Sequence, residues 1–293
     1  MASSVSRSDA ADAPPARQLV WLASYPKSGN TWTRILLANF LDADKAAASD
    51  HIALSGSISS NRPRFDSLTG LPSSDMTDDE IDCLRPGCYR ALAEDSREQL
   101  FIKVHDAYHD NREGKPIFPA EISLGAIYLV RDPRDVAISY AHHQGHMDFA
   151  KVTRQLANPR HVLAGSRKSQ LRQTMGTWSD HYRSWTAQQD IPVLVIRYED
   201  MLEDTVAALR AMTGFLKLPD AEDEARLQQA VDNARFEKLQ AAEKEKGFSE
   251  RPEKAKQFFR SGKAGEWRDV LDVADRETIE ADHGKVMRLL GYL

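Results

Sequence analysis

The sequence has little cysteine, no long apolar run and no excess of positive charge. Its 293 residues include two cysteines, Cys83 and Cys88, which are too few for a disulfide framework and lack the second ligand pair of a zinc site. No apolar run approaches the roughly 20 residues that span a bilayer, so no stable membrane insertion is expected. The net charge of −5 argues against a nucleic-acid binder, which would carry a strongly basic face.

The start of the chain also lacks a secretory signal. Residues 1–16 are rich in alanine, serine and proline, include acidic residues, and have no apolar core of the kind that signals carry. We predict a disordered tail there and a single domain over residues 17–293, a length that suits one α/β domain. Two reduced thiols and the missing signal predict a cytoplasmic protein.

Strands and helices alternate along the chain. Short runs rich in Val, Ile, Leu or aromatic residues, most of them apolar on both faces, predict strands at residues 18–24, 100–104, 125–130 and 192–197. Helical patterns lie at residues 31–41, 133–146, 170–188, 205–216 and 277–290. This alternation predicts βαβ units, and hence a three-layer α/β sandwich with a central parallel sheet. Polar composition predicts an irregular insertion at 43–80 and a long surface loop at 243–265.

The stretch Y-P-K-S-G-N-T-W, residues 25–32, directly follows the first predicted strand. Thr31 begins the next helix, whose first amides lack intrahelical partners and favour an anion. Gly29 lets the backbone approach a ligand closely, and Lys27 adds a positive charge. The stretch is not a Walker A motif, in which the lysine follows the glycine. An ordinary strand–turn–helix corner is the alternative.

The stretch R-D-P-R-D-V-A-I-S is a second candidate anion site between a strand and a helix, and it follows the third predicted strand. Arg131 projects from the carboxyl end of the strand, where an arginine suits a phosphate. Asp132 can cap the next helix, Pro133 suits its first position, and Asp135 completes a start that resembles a capping box. Ser139 shares a helix face with Asp135. Alternatively, Arg131 forms a salt bridge with Asp135.

A third candidate anion site is the stretch F-F-R-S-G-K-A-G-E-W at residues 258–267. Arg260 and Lys263 lie among glycines whose amides are open to a ligand. The stretch belongs to a predicted loop that can close over a bound molecule. On its own, this signal is weak.

The second predicted strand ends in K-V-H, which places Lys103 and His105 on the same side of the strand. A histidine with a pKa near 6.5 can remove a hydroxyl proton at neutral pH. His105 is therefore a candidate catalytic base. The alternative is a histidine that only packs or forms hydrogen bonds.

Two further clusters have structural interpretations. His142 and His146 are four residues apart in A-H-H-Q-G-H and could hold a metal ion, but no H-E-x-x-H glutamate accompanies them. We expect these two and His143 to form a wall of a ligand pocket or a solvated helix face. Trp178, Tyr182 and Trp185 lie at helical spacing and predict a buried helix face.

Together, these segments resemble the sulfotransferases that use 3′-phosphoadenosine 5′-phosphosulfate (PAPS). The family's first loop reads close to Y-P-K-[SA]-G-[TN]-T-W, its second element R-[DN]-P-[RK]-D-[VM]-x-x-S, and its third R-K-G-x-x-G-x-W. All three are matched in order, except that Ser261 replaces the lysine of the third. The family has K-T-H where this chain has K-V-H. The resemblance implies a P-loop NTPase-like fold.

The resemblance also implies a role for each matched residue. Those expected to hold the 5′-phosphosulfate are Lys27, Ser28, Gly29, Asn30 and Thr31. Those expected to contact adenine are Trp32, Tyr198 and Phe236. Those expected at the 3′-phosphate are Arg131, Ser139, Arg260, Ser261 and Gly262. The implied catalytic residues are His105 as base, with Lys27, Lys103 and Ser139.

The implied reaction is in-line transfer of a sulfuryl group from PAPS to a hydroxyl, or as second choice an amine, of a small-molecule acceptor. Lysines and helix-start amides suffice for the charge that develops, so no metal is expected. Two alternatives stay open at this point: an ATP-dependent small-molecule kinase and a nucleotide-binding regulator without turnover. The acceptor is not predicted. A homodimer is possible, although the K-x-x-x-T-V dimerisation motif of many animal members is not visible near the C-terminus.

Overall fold

The computed structural model describes residues 18–42, 57–163, 169–251 and 255–293. Within these ranges the main sheet has four parallel strands in the order β2-β1-β3-β6, and β4 and β5 form a small antiparallel pair. The strands are β1 (Leu19–Ser24), β2 (Leu100–Val104), β3 (Ser123–Val130), β4 (Val162–Leu163), β5 (Gln173–Thr174) and β6 (Val193–Arg197). The predicted tail, residues 1–16, lies outside the described residues.

Helices connect the strands and cover both faces of the sheet. Those in the described ranges are α1 (Asn30–Leu41), α2 (Arg62–Thr69), α3 (Asp78–Asp95), α4 (Pro133–His143), α5 (Phe149–Leu156), α6 (Trp178–Ala187), α7 (Tyr198–Glu203), α8 (Thr205–Phe215), α9 (Glu224–Asn233), α10 (Phe236–Lys246), α11 (Trp267–Val270) and α12 (Val273–Leu289). None of these helices combines the length and the apolar character that crossing a membrane requires.

The core lies on both sides of β1, whose six residues are all buried. Trp21 and Tyr128 pack in one apolar cluster, and Leu22 and Ile127 pack in a second cluster. Successive side chains of a strand point to opposite faces, so the two clusters are the two interfaces between sheet and helices. The predicted three-layer α/β sandwich with a central parallel sheet is confirmed, as are its four strands, to within two residues at each end.

The helix predicted at 170–188 is wrong over residues 170–177. Residues 173–174 pair with β4, and α6 begins only at Trp178. Gly176 has a φ of +64°, which interrupts a helix, and the Thr177 side chain accepts a hydrogen bond from the Asp180 amide. The predicted buried helix face is present in α6, where Trp178, Tyr182 and Trp185 are buried.

Other boundaries also differ from the predictions. The first helix after β3 ends at His143 rather than at residue 146, because Gly145 turns the chain at a φ of +78°. The last helix begins at Val273, four residues earlier than expected, since Asp272 caps it. Residues 43–56 lie outside the described residues, but the rest of the predicted irregular insertion contains α2 and the start of α3. The predicted loop at 243–265 begins only after α10 ends at Lys246.

Candidate active site

A cavity of about 1000 Å³ lies at the carboxyl ends of the strands. The turn after β1, the end of β2, the second half of α4 and the loop before α11 all contribute to its wall. Most of the predicted site residues line it: Lys27, Gly29, Asn30, Thr31, Trp32, Lys103, His105, Arg131, Ser139, Tyr198, Phe236, Arg260, Ser261 and Gly262. Ser28 is the exception, since it is fully buried behind the turn.

The turn between β1 and α1 has a backbone shape that leaves little room for side chains. Lys27 adopts a φ of +74° and Gly29 a φ of +99°, both in the left-handed region. A Cβ atom on Gly29 would come within 2.8 Å of Cδ2 of Tyr198, so glycine is required there. No side chain in the described part of the chain caps α1. Its first amides are therefore available to bind an anion.

The polar side chains of this turn point in different directions. Thr31 donates a hydrogen bond from Oγ1 to Glu250 Oε2 at 2.8 Å, at the edge of the cavity. The Asn30 amide instead points back into the sheet and donates to the Leu22 carbonyl at 2.8 Å. Among the described residues, the buried Ser28 Oγ has no hydrogen-bond partner. The Asn30 side chain is thus held by the sheet, and Ser28 lies behind the turn rather than in the cavity wall.

Lys27 is held between an imidazole and an aromatic ring. Its Nζ lies 3.5 Å from His143 Nδ1 and 4.6 Å from the centre of the Phe258 ring. Burial, together with the charges of Lys103 and Arg131, lowers the pKa of Lys27 to about 8. A lysine whose charge is this poorly compensated gains stability from an anion.

His105 lies directly after β2, and Lys103 lies on the same side, as predicted. His105 Nδ1 is 2.9 Å from the Ser24 carbonyl oxygen. A carbonyl can only accept, so we assign the ring proton to Nδ1, which leaves Nε2 as the basic nitrogen. Burial and the Lys103 charge lower the pKa of His105 to about 3, so the imidazole is neutral at pH 7.

A buried ion pair fixes the chain next to His105, and sequence reasoning did not identify it. Asp106 is fully buried and accepts hydrogen bonds from Arg85 Nη1 and Nη2, at 3.1 and 2.8 Å. It also accepts one from the Thr174 amide at 3.1 Å. The His105 carbonyl accepts from His181 Nε2 at 3.0 Å. Backbone and side chain of His105 are therefore both held in place.

Arg131 connects the turn after β1 to the loop before α11. Its Nη1 donates to the Lys27 carbonyl at 3.3 Å and its Nη2 to the Lys263 carbonyl at 2.9 Å. Its guanidinium carbon lies 4.4 Å from the centre of the Tyr198 ring. Ser139 lines the same cavity from α4. These contacts are not those of the predicted alternative, in which Arg131 pairs with Asp135.

Asp135 has a different role from the one predicted. Asp132 alone caps α4, by accepting a hydrogen bond from the Arg134 amide. The Asp135 carboxylate instead accepts from the Gly265 amide at 2.6 Å and from the Trp267 amide at 3.0 Å. The capping-box prediction is therefore wrong, because this carboxylate anchors the loop before α11 to the start of α4.

The loop before α11 places its own carboxylate next to its arginine. Arg260 pairs with Glu266 through two hydrogen bonds. Gly262 has a φ of +63°, and a Cβ atom there would come within 2.5 Å of Phe236 Cδ2. The loop backbone therefore packs directly on the Phe236 ring.

Three aromatic side chains line one end of the cavity. The rings of Trp32 and Tyr198 meet edge to face with centres 6.0 Å apart, and Phe236 lies under Gly262. Trp32 Nε1 donates to the Ala234 carbonyl at 3.0 Å, which fixes the plane of the indole. This end is suited to stack a flat base.

The histidine cluster after Ser139 does not form the i, i+4 pair that the sequence suggested. His146 lies beyond the end of α4, and its Nε2 contacts Gln144 Oε1 at 2.8 Å. His143 lines the cavity. Within the described ranges, no three His, Cys, Asp or Glu side chains are grouped so that they could hold a metal ion.

Arg34 and Glu250 are among the cavity residues that sequence reasoning missed. Arg34 lies on the second turn of α1, three residues after Thr31. Its Nη1 is 2.7 Å from Glu250 Oε1. The only sequence signal for Glu250 is its place in the charged stretch that was predicted to be a loop.

Comparison with known proteins supports the motif-based resemblance. A profile described as "Sulfotransferase domain" matches residues 17–291. The chain is 25% identical over 263 residues to flavonol 3-sulfotransferase of Flaveria bidentis, covering 86% of this chain and 76% of the relative. It is 24% identical over 281 residues to sulfotransferase 1B1 of Canis lupus familiaris, covering 91% and 82%.

Solved structures show the same fold. Mouse sulfotransferase SULT7A1, complexed with PAP, has a TM-score of 0.59 at 20% identity and covers 93% of this chain and 84% of that one. Retinol dehydratase, in a complex with retinol and PAP, has a TM-score of 0.61 at 22% identity and covers 94% and 82%. With the profile match spanning nearly the whole sequence, this chain belongs to the sulfotransferase family.

Proposed function

We propose that this chain transfers a sulfuryl group from PAPS to a hydroxyl of a small-molecule acceptor, with His105 as the base. The observation that carries the proposal is the arrangement of three groups around one cavity. The uncapped start of α1, the ammonium groups of Lys27 and Lys103, and the neutral imidazole of His105 all line it. Membership in the family makes the chain a sulfotransferase rather than a kinase or a regulator without turnover.

The residues present fit the donor nucleotide. Gly29 and Gly262 keep the backbone close to the cavity at positions where a Cβ atom would collide with aromatic rings. We propose that the amides of residues 28–31, with Lys27, hold the 5′-phosphosulfate. Arg131, whose buried Nε has no hydrogen-bond partner among the described residues, would hold the 3′-phosphate, with Ser139, Arg260, Ser261 and Gly262. The adenine would stack between Trp32, Tyr198 and Phe236.

PAPS supplies the sulfuryl group, and the chain supplies base, charge and position. His105 takes the acceptor's hydroxyl proton at Nε2, while the bond from Nδ1 to the Ser24 carbonyl keeps the ring in this orientation. Lys27 and Lys103 stabilise the negative charge that grows on the oxygen between sulfur and the 5′-phosphate. The donor's negative charge opposes the effect of the lysines on His105, and so raises the pKa of this base when donor is bound.

Replacing His105 with alanine tests the proposal. We expect turnover to fall by about a hundred- to ten-thousand-fold, because a positioned base is lost. The Kd for PAP (3′-phosphoadenosine 5′-phosphate, the donor without its sulfuryl group) should stay within about twofold, because the donor contacts stay. His146→Ala, outside the cavity, is the matched control. Turnover is followed by mass spectrometry of the sulfated product, with a panel of phenols, steroids and flavonols as acceptors. Unchanged turnover in His105→Ala removes His105 from the role of base.

A chelator tests the metal-free mechanism. Because lysines and helix-start amides supply all the proposed electrophilic groups, we expect EDTA to leave the turnover unchanged. Loss of turnover in EDTA, restored by a divalent cation, would contradict this account. The single domain over residues 17–293, a homodimer and a cytoplasmic location stay predictions from the sequence.

A further inference from the structure

The Glu250 carboxylate lies in a site built for an oxyanion. Its oxygens lie 2.8 Å from Thr31 Oγ1, 2.7 Å from Arg34 Nη1 and 3.4 Å from Lys103 Nζ. Burial raises the pKa of Glu250, but Lys103 and Arg34 outweigh this effect and lower the pKa to about 2. The side chain is therefore an anion at all physiological pH values.

Two of these partners belong to the site proposed for the 5′ end of the donor. Thr31 lies in the first turn of α1, and Lys103 lies beside His105 at the end of β2. Arg34 is the third partner, and no motif assigned it. It follows Thr31 by three residues, so both side chains lie on the same face of α1. The Arg34 side chain is buried, with 7% of its surface exposed.

A carboxylate and a phosphate select the same partners, because both accept charge-assisted hydrogen bonds from arginine, lysine and hydroxyl groups. The Glu250 carboxylate therefore marks the position at which an oxygen of a bound anion would accept the strongest charge-assisted hydrogen bonds. A buried arginine in this position contributes two or more donors to such an anion.

We propose that Arg34 is a further donor-binding residue, which contacts the 5′-phosphate of the nucleotide, and that Glu250 is a tethered competitor for the same position. The proposal rests on the proposed function, since it assumes that the donor's 5′ end lies at the start of α1. The nucleotide then exchanges its 5′-phosphate for the Glu250 carboxylate on the same three partners. The apparent affinity is lowered by the fraction of molecules in which Glu250 holds the site.

Calorimetry with PAP and with adenosine 3′-phosphate tests the proposal, because only PAP carries a 5′-phosphate. In Glu250→Gln, which removes the competing charge but keeps the shape, we expect the Kd for PAP to fall about tenfold. In Arg34→Gln we expect it to rise about tenfold or more, because a charged donor is lost. Neither variant should change the Kd for adenosine 3′-phosphate by more than about twofold.

Glu245→Gln and Arg288→Gln are matched controls, because both positions are exposed and lie outside the cavity. Thermal melting of each variant establishes that it is folded before binding is measured. If Glu250→Gln weakens PAP binding or leaves it unchanged, Glu250 is a structural partner of Arg34 and the proposal is wrong. If the unmodified chain does not bind PAP at all, the proposed function itself fails, which is a separate outcome.

Discussion

The two ends of the proposed nucleotide site balance their positive charges in different ways. At the 5′ end, Arg34 and Lys103 share one carboxylate, that of Glu250, which comes from more than 140 residues further along the chain. At the 3′ end, Arg131 is held by two backbone carbonyls and an aromatic ring. Arg260 is paired with Glu266, six residues away on the same loop.

The two ends therefore differ in how ready they are to bind an anion. Carbonyl oxygens and a ring face hold Arg131 in one orientation. Within the described residues it forms no ion pair with the nearby carboxylates, which are those of Asp135, Glu199 and Glu266. Arg131 is therefore preorganised for an anion. At the 5′ end the Glu250 carboxylate already pairs with Arg34 and Lys103, and a bound anion has to replace it there. We therefore infer that the 3′ end selects the nucleotide and that the 5′ end limits how tightly it binds.

The largest effect we predict concerns the framework behind the 5′ end. Asp106→Ala breaks the buried pair with Arg85 and leaves a buried charge poorly compensated, so the free energy of unfolding should fall by about 3–5 kcal/mol. Chemical denaturation measures it. Asp95→Ala, at the exposed end of α3, is the control and should cost less than about 0.5 kcal/mol. Equal small losses in the two variants would show that the buried pair does not stabilise this framework.

The second prediction tests whether the 3′ end selects the nucleotide. Arg131→Gln removes the proposed charged partner of the 3′-phosphate and should weaken PAP binding by about 1.5–3 kcal/mol, which is roughly 10- to 150-fold. Adenosine 5′-phosphate lacks that phosphate, and its Kd should change by less than about threefold. Calorimetry with both ligands measures the effect. A similar loss for both ligands would mean that Arg131 supports the whole cavity rather than one phosphate.

The smallest predicted effect is a pH dependence confined to the 5′ end. Lys27, with its pKa lowered to about 8, carries its charge below that pH and loses it as the pH rises above it. The Kd for PAP should therefore rise above pH 8, by up to about tenfold per pH unit. In Lys27→Arg this rise should be absent up to pH 9.5, because arginine stays charged there. Adenosine 3′-phosphate is the ligand control, and the same rise with it would place Lys27 away from the 5′-phosphate.

The fold and the motif residues could be predicted because their signals are local. Each strand is a short apolar run, and Lys27, His105, Arg131 and Tyr198 follow strand ends, so the topology of a parallel sheet brings them to one edge. The wrong start of the helix predicted at 170–188 also has a local origin. One glycine, Gly176, converts the start of a predicted helix into a turn.

The rest of the site depends on contacts between distant parts of the chain. Glu250 is 216 residues from Arg34, and no periodicity or spacing connects them. Likewise, Asp135 has the right spacing for a helix cap, yet it binds amides 130 and 132 residues away, because the folded loop offers it better partners. The Arg85–Asp106 pair is a third case, since β2 and α3 meet only in the folded molecule.

The most direct test of the central claim is calorimetry of the unmodified chain with PAP and with ATP plus Mg²⁺. The account predicts that one PAP molecule binds per chain and that ATP, which lacks the 3′-phosphate, gives no comparable heat. Equal binding of both nucleotides, or no heat with PAP, would contradict the claim that this cavity holds a sulfuryl-donor nucleotide.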